Sequence, residues 1–81
     1  MRLHLGGHLD WYDAQKRSWL DVPLAQPILL TDLLAQLGIP AGEVAIVVVD
    51  RRAVPLKGTV VADGDRVELY PAMGGGETGA S

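Results

Sequence analysis

The chain has 81 residues, a formal net charge of −3 and no cysteine. This length allows one domain, and the absence of cysteine excludes disulfides, thiolate metal sites and a cysteine nucleophile. The negative charge argues against general nucleic-acid binding, which needs lysines and arginines to displace counterions from phosphates. No apolar run approaches the roughly 20 residues of a membrane-spanning helix, and the N-terminus does not resemble a signal peptide. We therefore expect a globular, cytoplasmic protein that binds neither nucleic acid nor membrane.

The first third of the chain predicts two strands joined by a loop. Leucines alternate with polar residues near the N-terminus and predict a strand over residues 2–8. Gly6-Gly7 within it indicates a bulge or the close approach of another part of the backbone. Residues 10–17 are polar or aromatic and predict a loop, and renewed alternation predicts a second strand over residues 18–24.

One short amphipathic helix is predicted in the middle of the chain. Its apolar stripe has the i, i+3, i+4, i+7 spacing of a helix face and consists of Leu30, Leu33, Leu34 and Leu37. Gly38 suits the left-handed residue that follows a helix.

The second half of the chain predicts three strands and two turns before a Gly-rich end. In chain order these are a β-branched strand at 44–49 covered on both faces or nearly so, a turn at 50–52, a short strand at 53–56, a turn at 63–65 and a strand at 66–70. Alternation in the last strand points Val67 and Leu69 inward and Tyr70 outward. After Pro71 the glycines and small polar residues offer little to bury.

This order of elements predicts an α+β fold in which a mixed sheet of about five strands carries one main helix across one face. Residues 1–73 form the domain, and residues 74–81 form a flexible Gly-rich C-terminal tail. The residues predicted to be buried are Leu3, Leu5, Leu20, Val22, Leu30, Leu33, Leu34, Leu37, Ile46, Val48, Val67 and Leu69.

Four residues with side-chain rings in the first quarter of the chain are candidates for other roles. His4 and His8 are too far apart on a strand to share an ion, so we expect structural or solvent-facing histidines and no metal site. Trp11 and Tyr12 either cover the open edge of the core or contact a partner. The sequence has no serine–histidine–acid set, no phosphate-binding loop and no evident pair of catalytic acids.

Three segments, 33–40, 43–49 and 63–76, resemble the MoaD/ThiS-like β-grasp sulfur-carrier family, which is ubiquitin-like. This family includes the small subunit of molybdopterin synthase and the sulfur carrier of thiamine biosynthesis. The resemblance covers nearly the whole chain through Gly76. It implies that the α+β domain is a ubiquitin-like β-grasp.

The resemblance also implies a chemistry for the tail. An E1-like adenylyltransferase would use ATP to activate the carboxylate of Gly76, and a sulfur donor would convert it to a thiocarboxylate. Gly74 and Gly75 would form a slim approach, because a peptide without Cβ atoms enters a narrow active site and adopts positive φ without strain. The chain itself would bind no cofactor and would act as a protein cosubstrate rather than as an enzyme.

Partner contacts are expected next to the tail. Tyr70, Pro71 and Met73 would contact the partner enzymes, since an exposed aromatic residue before the tail resembles the family's contact residue. An ordinary surface tyrosine is the alternative for Tyr70. The receiving partner would be the large subunit of molybdopterin synthase or thiazole synthase.

Three features depart from the family pattern. The chain continues for five residues beyond Gly76, and we expect a protease to remove Glu77–Ser81, which is small, polar and exposed. The turn at 50–52 lacks the usual Asn-Gly, so either Arg51 adopts a positive φ at roughly 1–2 kcal/mol or the turn type differs. Leu29 stands where a polar helix cap is usual.

The leading interpretation is sulfur carriage for molybdopterin or tungstopterin synthesis, and a carrier for the thiamine or another sulfur-transfer pathway is an alternative. The long first loop resembles the molybdopterin or tungstopterin branch, whereas the triple glycine and Ala72-Met73 resemble the thiamine branch. A ubiquitin-like modifier joined to target lysines through Gly76 is one alternative function. A non-catalytic interaction module that uses the sheet face and Tyr70 is another.

Overall fold

The structure of the protein is a computed structural model, and it describes residues 1–72. Met73 and the predicted tail at 74–81 lie outside the described residues. In chain order the elements are β1 (Arg2–Leu5), a first 3₁₀ helix (Gly7–Tyr12), β2 (Trp19–Asp21), β3 (Ile28–Leu29), α1 (Leu30–Leu37), a second 3₁₀ helix (Ala41–Glu43), β4 (Ile46–Val49), β5 (Arg52–Val54), β6 (Val60–Val61) and β7 (Arg66–Tyr70).

The strands form one mixed sheet of five and a separate pair. The order in the large sheet is β2-β1-β7-β4-β5, in which β1 and β7 run parallel and all other neighbours are antiparallel. Strands β3 and β6 pair with each other. The predicted α+β fold, a β-grasp with a mixed sheet of about five strands and one main helix, is confirmed.

The core lies between α1 and one face of the large sheet. The helix contributes Leu30, Leu33 and Leu34 to a single apolar cluster with the inward residues of β1, β4 and β7. The buried apolar residues are Met1, Leu3, Leu5, Leu9, Leu30, Leu33, Leu34, Ile39, Val47, Val61, Val67 and Leu69. Leu20, Val22 and Leu37, which the pattern places in the core, are only partly buried at its margin.

The sequence prediction for β4 is wrong in phase. Val47 is buried, whereas Ile46 is 48% exposed and Val48 is half-buried. A run of β-branched residues contains no polar residue to mark its outer face, and a shift by one residue exchanges the two faces. The strand is therefore covered fully on one face only.

The first third of the chain also differs from its prediction. Strand β1 ends at Leu5, and the predicted loop begins as the first 3₁₀ helix. The second strand is shorter than predicted and covers only Trp19–Asp21. Strand β5 stops before Pro55, which has no N–H to donate to a sheet.

Helix α1 has the predicted position but no polar cap. Leu29 makes no side-chain hydrogen bond to the helix N-terminus, and the N–H of Leu30 instead donates to the carbonyl of Thr59 at 2.8 Å. At the other end Gly38 is left-handed, with φ 76°, and Ile39 donates to the carbonyl of Leu34 at 2.9 Å. These backbone contacts satisfy groups that a helix end otherwise leaves unpaired.

The β4–β5 hairpin turns on two residues with positive φ. Asp50 has φ 48° and Arg51 has φ 71°, and Val49 pairs with Arg52 directly across the turn. Positive φ at both central residues is the geometry of a type I′ turn, which matches the twist of the strands. Of the two predicted alternatives for Arg51, the strained conformation is correct.

Candidate functional site: the end of the last strand

The last strand carries the chain out of the sheet through a backbone anchored on both sides. On one side the N–H of Gly6 donates to the carbonyl of Leu69 at 2.8 Å, and on the other the N–H of Ala45 donates to the carbonyl of Tyr70 at 2.8 Å. Pro71 is buried and Ala72 is exposed. The described chain is therefore held firmly up to residue 71.

Two glycines lie directly against this exit, and we call Gly6 and Gly7 the exit seat. A Cβ on Gly6 would stand 2.8 Å from Cε1 of Tyr70 and 2.9 Å from the carbonyl oxygen of Leu69. A Cβ on Gly7 would stand 2.6 Å from Cγ of Pro71. Separations this short are not tolerated between real atoms, so the predicted close backbone approach at Gly6-Gly7 is confirmed.

Tyr70 lies on the face of the sheet away from the helix, where it is half-buried. Its hydroxyl donates a hydrogen bond to Oε1 of Glu68 at 2.6 Å. Its ring meets the ring of His4 edge-on at 5.7 Å between centroids, and His4 in turn contacts the ring of Trp19 at 4.6 Å. Alternation correctly predicted that Tyr70 faces outward.

Arginines surround Trp19 on the same face. The guanidinium carbons of Arg2 and Arg66 each lie 4.9 Å from the centre of the indole ring, which is a cation–π distance. Nε of Arg66 also lies 3.4 Å from Oε2 of Glu68. We call this group the outer cluster; its members are Arg2, His4, Trp19, Arg66, Glu68 and Tyr70.

Hydrogen bonding within the outer cluster shifts two pKa values in opposite directions. The Tyr70 hydroxyl, followed by the charge and hydrogen bond of Arg66, lowers the pKa of Glu68 below its ordinary 4.5. Acceptance by that carboxylate raises the pKa of Tyr70 above its ordinary 10.0. The same hydrogen bond thus stabilises the ionised Glu68 carboxylate and the neutral Tyr70 phenol. The hydrogen bond therefore persists across the neutral pH range.

The other candidate residues of the sequence are not part of the outer cluster. Nε2 of His8 is 2.9 Å from Oε1 of Glu43 and faces solvent. Trp11 is 65% exposed, with Nζ of Lys16 5.4 Å from its ring centre, so it does not cover the core. Tyr12 is partly buried against the core, which agrees with the first of its two predicted alternatives. Within residues 1–72 no three acidic or histidine side chains stand close enough to hold a metal ion.

The sequence did not reveal that the ring of His4 contacts both Trp19 and Tyr70. Alternation in the first two strands placed both side chains on the outer face, but it contained no information on which strands would be neighbours. The register now places His4 opposite Trp19 on one side and Glu68 on the other. Of the predicted tail and contact residues, Met73, Gly74, Gly75 and Gly76 lie outside the described residues.

The fold is a ubiquitin-like β-grasp, and its last strand is anchored on both sides up to Tyr70. A family model described as the ThiS family matches residues 12–76, and the chain belongs to this family. Its members are MoaD/ThiS-like sulfur carriers, small proteins that are not enzymes themselves and that work with E1-like activating enzymes and sulfur-transfer partners. Neither the curated proteins nor the solved structures gave a match.

Within residues 1–72 no helix is both long enough and apolar enough to cross a lipid bilayer.

Proposed function

We propose that the protein carries sulfur as a thiocarboxylate on Gly76 and delivers it to a biosynthetic enzyme of molybdopterin or tungstopterin formation. The observation that carries the sulfur-carrier role is the family match, which runs through the exit strand and ends at Gly76. The choice of pterin synthesis rests on the resemblance of the long first loop to that branch. The anchoring of the chain at Tyr70 and Pro71 supports it, because the residues beyond can then be presented to a partner's active site from a fixed point.

The proposed chemistry takes place entirely at the end of the tail. The carboxylate of Gly76 attacks the α-phosphate of ATP on an E1-like adenylyltransferase and releases pyrophosphate. Hydrosulfide from a sulfur donor then attacks the acyl carbon, AMP leaves, and the product is a thiocarboxylate. Five residues separate Pro71 from the end of Gly76, so the reacting carbon lies at most roughly 17 Å from the last anchored residue.

A free carboxylate at Gly76 requires removal of the residues that follow. We propose that a protease cleaves after Gly76 and releases Glu77–Ser81, a small polar peptide that suits proteolysis. Intact mass of the protein purified from its own host tests this step. A protein that remains at full length while the host makes the sulfur-containing product contradicts it.

The partner enzyme is proposed to contact the sheet near the exit. Tyr70 pairs in register with Ile46, an apolar side chain that is 48% exposed on the same face. The outer cluster lies directly beside this pair. Aromatic and arginine side chains are enriched in the energetically important centres of interfaces. This face of the sheet therefore suits contact with an activating enzyme better than a uniformly polar face would. Met73, an adaptable apolar side chain, would extend the contact.

Thiamine thiazole formation is the second candidate pathway. The triple glycine and the Ala72-Met73 approach resemble that branch, and the ThiS family match includes them. An experiment distinguishes the two pathways. The thiocarboxylate form is supplied first to the large subunit of molybdopterin synthase and then to thiazole synthase, and sulfur transfer to each is measured. Sulfur transfer to thiazole synthase alone would overturn the pterin assignment and leave the carrier role intact.

The decisive experiment uses two matched forms of the chain, one that ends at Gly76 and the full chain of 81 residues. Each is incubated with ATP, a sulfur donor and an E1-like enzyme from the same genome, and its intact mass is then measured by mass spectrometry. We expect the Gly76-terminated form alone to exchange one oxygen atom for sulfur. Conjugates of higher mass would indicate a ubiquitin-like modifier, and a complete lack of adenylation would favour a plain interaction module.

A further inference from the structure

We propose that Gly6 and Gly7 are positioning residues for the reaction at Gly76, because the exit seat fixes the point from which the tail departs. This inference rests on the proposed function. It assigns a role in the C-terminal reaction to residues at the opposite end of the sequence.

Backbone conformation does not explain the glycine at position 6. Gly6 has φ −76° and ψ 162°, an extended conformation that any residue adopts. Its contact with the Tyr70 ring and the Leu69 carbonyl does explain it, since a Cβ would collide with both. By contrast, Gly42 has open space around its missing Cβ.

Gly7 combines both reasons for glycine. Its φ is +54°, and a Cβ would also collide with the ring of Pro71. Gly38 has a similar φ of +76°, but no atom lies within 4 Å of the place that a Cβ would take there. Gly42 is therefore a control for Gly6, and Gly38 is a control for Gly7. Each control matches its test residue in whether φ lies in the left-handed region but lacks the contact with the exit, so the difference between them reports that contact.

The direction of the exit matters because the tail is short. If Tyr70 and Pro71 are pushed from the seat, the anchored part of the chain ends earlier and the concentration of Gly76 at the partner's active site falls. Small misplacements of a reacting group lower the rate of the chemical step strongly. Gly7 contacts Pro71, which is not part of the outer cluster, so Gly7→Ala should affect docking less than the chemistry. Gly6 contacts Tyr70, a member of the outer cluster, so Gly6→Ala should affect both.

The test compares four variants of the Gly76-terminated chain in adenylation by the E1-like enzyme, at a temperature where circular dichroism shows all four folded. We expect Gly6→Ala and Gly7→Ala to lower kcat about tenfold, with the KM of Gly7→Ala within about twofold of the wild type and a rise in KM for Gly6→Ala, whose Cβ meets Tyr70. Gly42→Ala and Gly38→Ala should keep both constants. Equal kcat values for each variant and its matched control overturn the proposal, as does a rise in KM without a fall in kcat.

A second measurement decides whether the seat anchors the exit at all, without any enzyme. The Ala45 amide donates to the carbonyl of Tyr70, so its hydrogen exchange reports whether Tyr70 stays in place. We expect faster exchange in Gly6→Ala and Gly7→Ala than in their controls, and unchanged exchange contradicts the seat. If the wild-type chain is not adenylated, the proposed function fails, while this exchange result still stands for the geometry.

Discussion

Single residues in this protein show where a local conformation is imposed by the rest of the fold. Arg51 has φ 71°, although a side chain disfavours that region. The turn is held because Asp50 donates its N–H to the carbonyl of Arg66 at 2.8 Å, and Oδ1 of Asp50 accepts from the N–H of Arg66 at 2.9 Å. Two hydrogen bonds to the neighbouring strand thus fix a turn that its own sequence disfavours.

Replacing Arg51 with glycine should therefore stabilise the protein. Glycine adopts φ 71° without strain, and the expected gain is about 0.5–1 kcal/mol after its greater freedom in the unfolded chain is subtracted. Urea denaturation of Arg51→Gly measures it. Arg52→Gly is the control, because Arg52 is in β5 and should lose stability. A loss in both variants would contradict strain at Arg51.

The Tyr70–Glu68 hydrogen bond should give stability over a defined pH window. The pKa of Glu68 is lowered from 4.5, so its contribution is present above that pH and is lost as pH falls through the folded value. The pKa of Tyr70 is raised from 10.0, so its contribution is present below that pH and is lost as pH rises through the folded value.

The variant Tyr70→Phe tests this window. Removal of one such hydrogen bond should lower the free energy of unfolding by about 0.5–1.5 kcal/mol near neutral pH. The difference between wild type and variant, measured by thermal unfolding in a pH series, should shrink on both the acid and the alkaline side. Tyr12→Phe is the control, and a difference that does not vary with pH would contradict the assignment.

At the scale of elements, the sequence predicted α1 and β7 well because each has an unambiguous period. Four leucines at helical spacing and the Val67/Leu69 alternation correspond to the observed buried faces, with Leu37 at the margin. The prediction failed at β4, because a uniform run of β-branched residues does not show which side chains face the core. It also missed β3 and β6, which have two residues each and cannot show a period.

The candidate site was predictable only in part for a related reason. Tyr70 and its outward direction followed from one strand alone. The contacts of Tyr70 with Gly6 and His4 depend on the parallel pairing of β1 with β7, which brings together residues more than 60 positions apart in the chain. No local pattern encodes such a pairing, although Gly6-Gly7 indicated that some backbone comes close there.

The packing of α1 gives a direct test of the core. Leu34 is completely buried, and Leu34→Ala should lower the free energy of unfolding by roughly 2–5 kcal/mol through loss of contacts and a residual cavity. Leu29→Ala is the matched control because Leu29 is 41% exposed beside the same helix. Urea denaturation should show only a small loss for Leu29→Ala. Equal losses would contradict the position of the core.

At the scale of the whole molecule, the exit lies beside Ile46, an exposed apolar residue of the large sheet. Ile46 is the register partner of Tyr70, and the outer cluster continues on the other side of β7. The helix covers the opposite face of the sheet. An enzyme that receives the tail can therefore rest on the uncovered face while it takes up the chain beyond Pro71.

A charge on this face should weaken the proposed docking without unfolding the protein. Ile46→Asp places a carboxylate beside Tyr70, and we expect a rise of about tenfold or more in KM for adenylation of the Gly76-terminated chain. Val60→Asp is the control, because Val60 is 55% exposed on the separate β3–β6 pair. A similar change in KM for both variants would contradict docking through the large sheet.

The parallel pairing of β1 with β7 has a consequence for when the protein can react. The middle of the sheet forms only after the two most distant segments of the chain have met, and loop closure of that length is slow relative to local folding. Until then Tyr70 has only its pairing with β4, and neither Tyr70 nor Pro71 has its contact with the exit seat. An activating enzyme that recognises a correctly positioned tail would thus not adenylate unfolded or partly folded protein. ATP would then be consumed only on the folded protein.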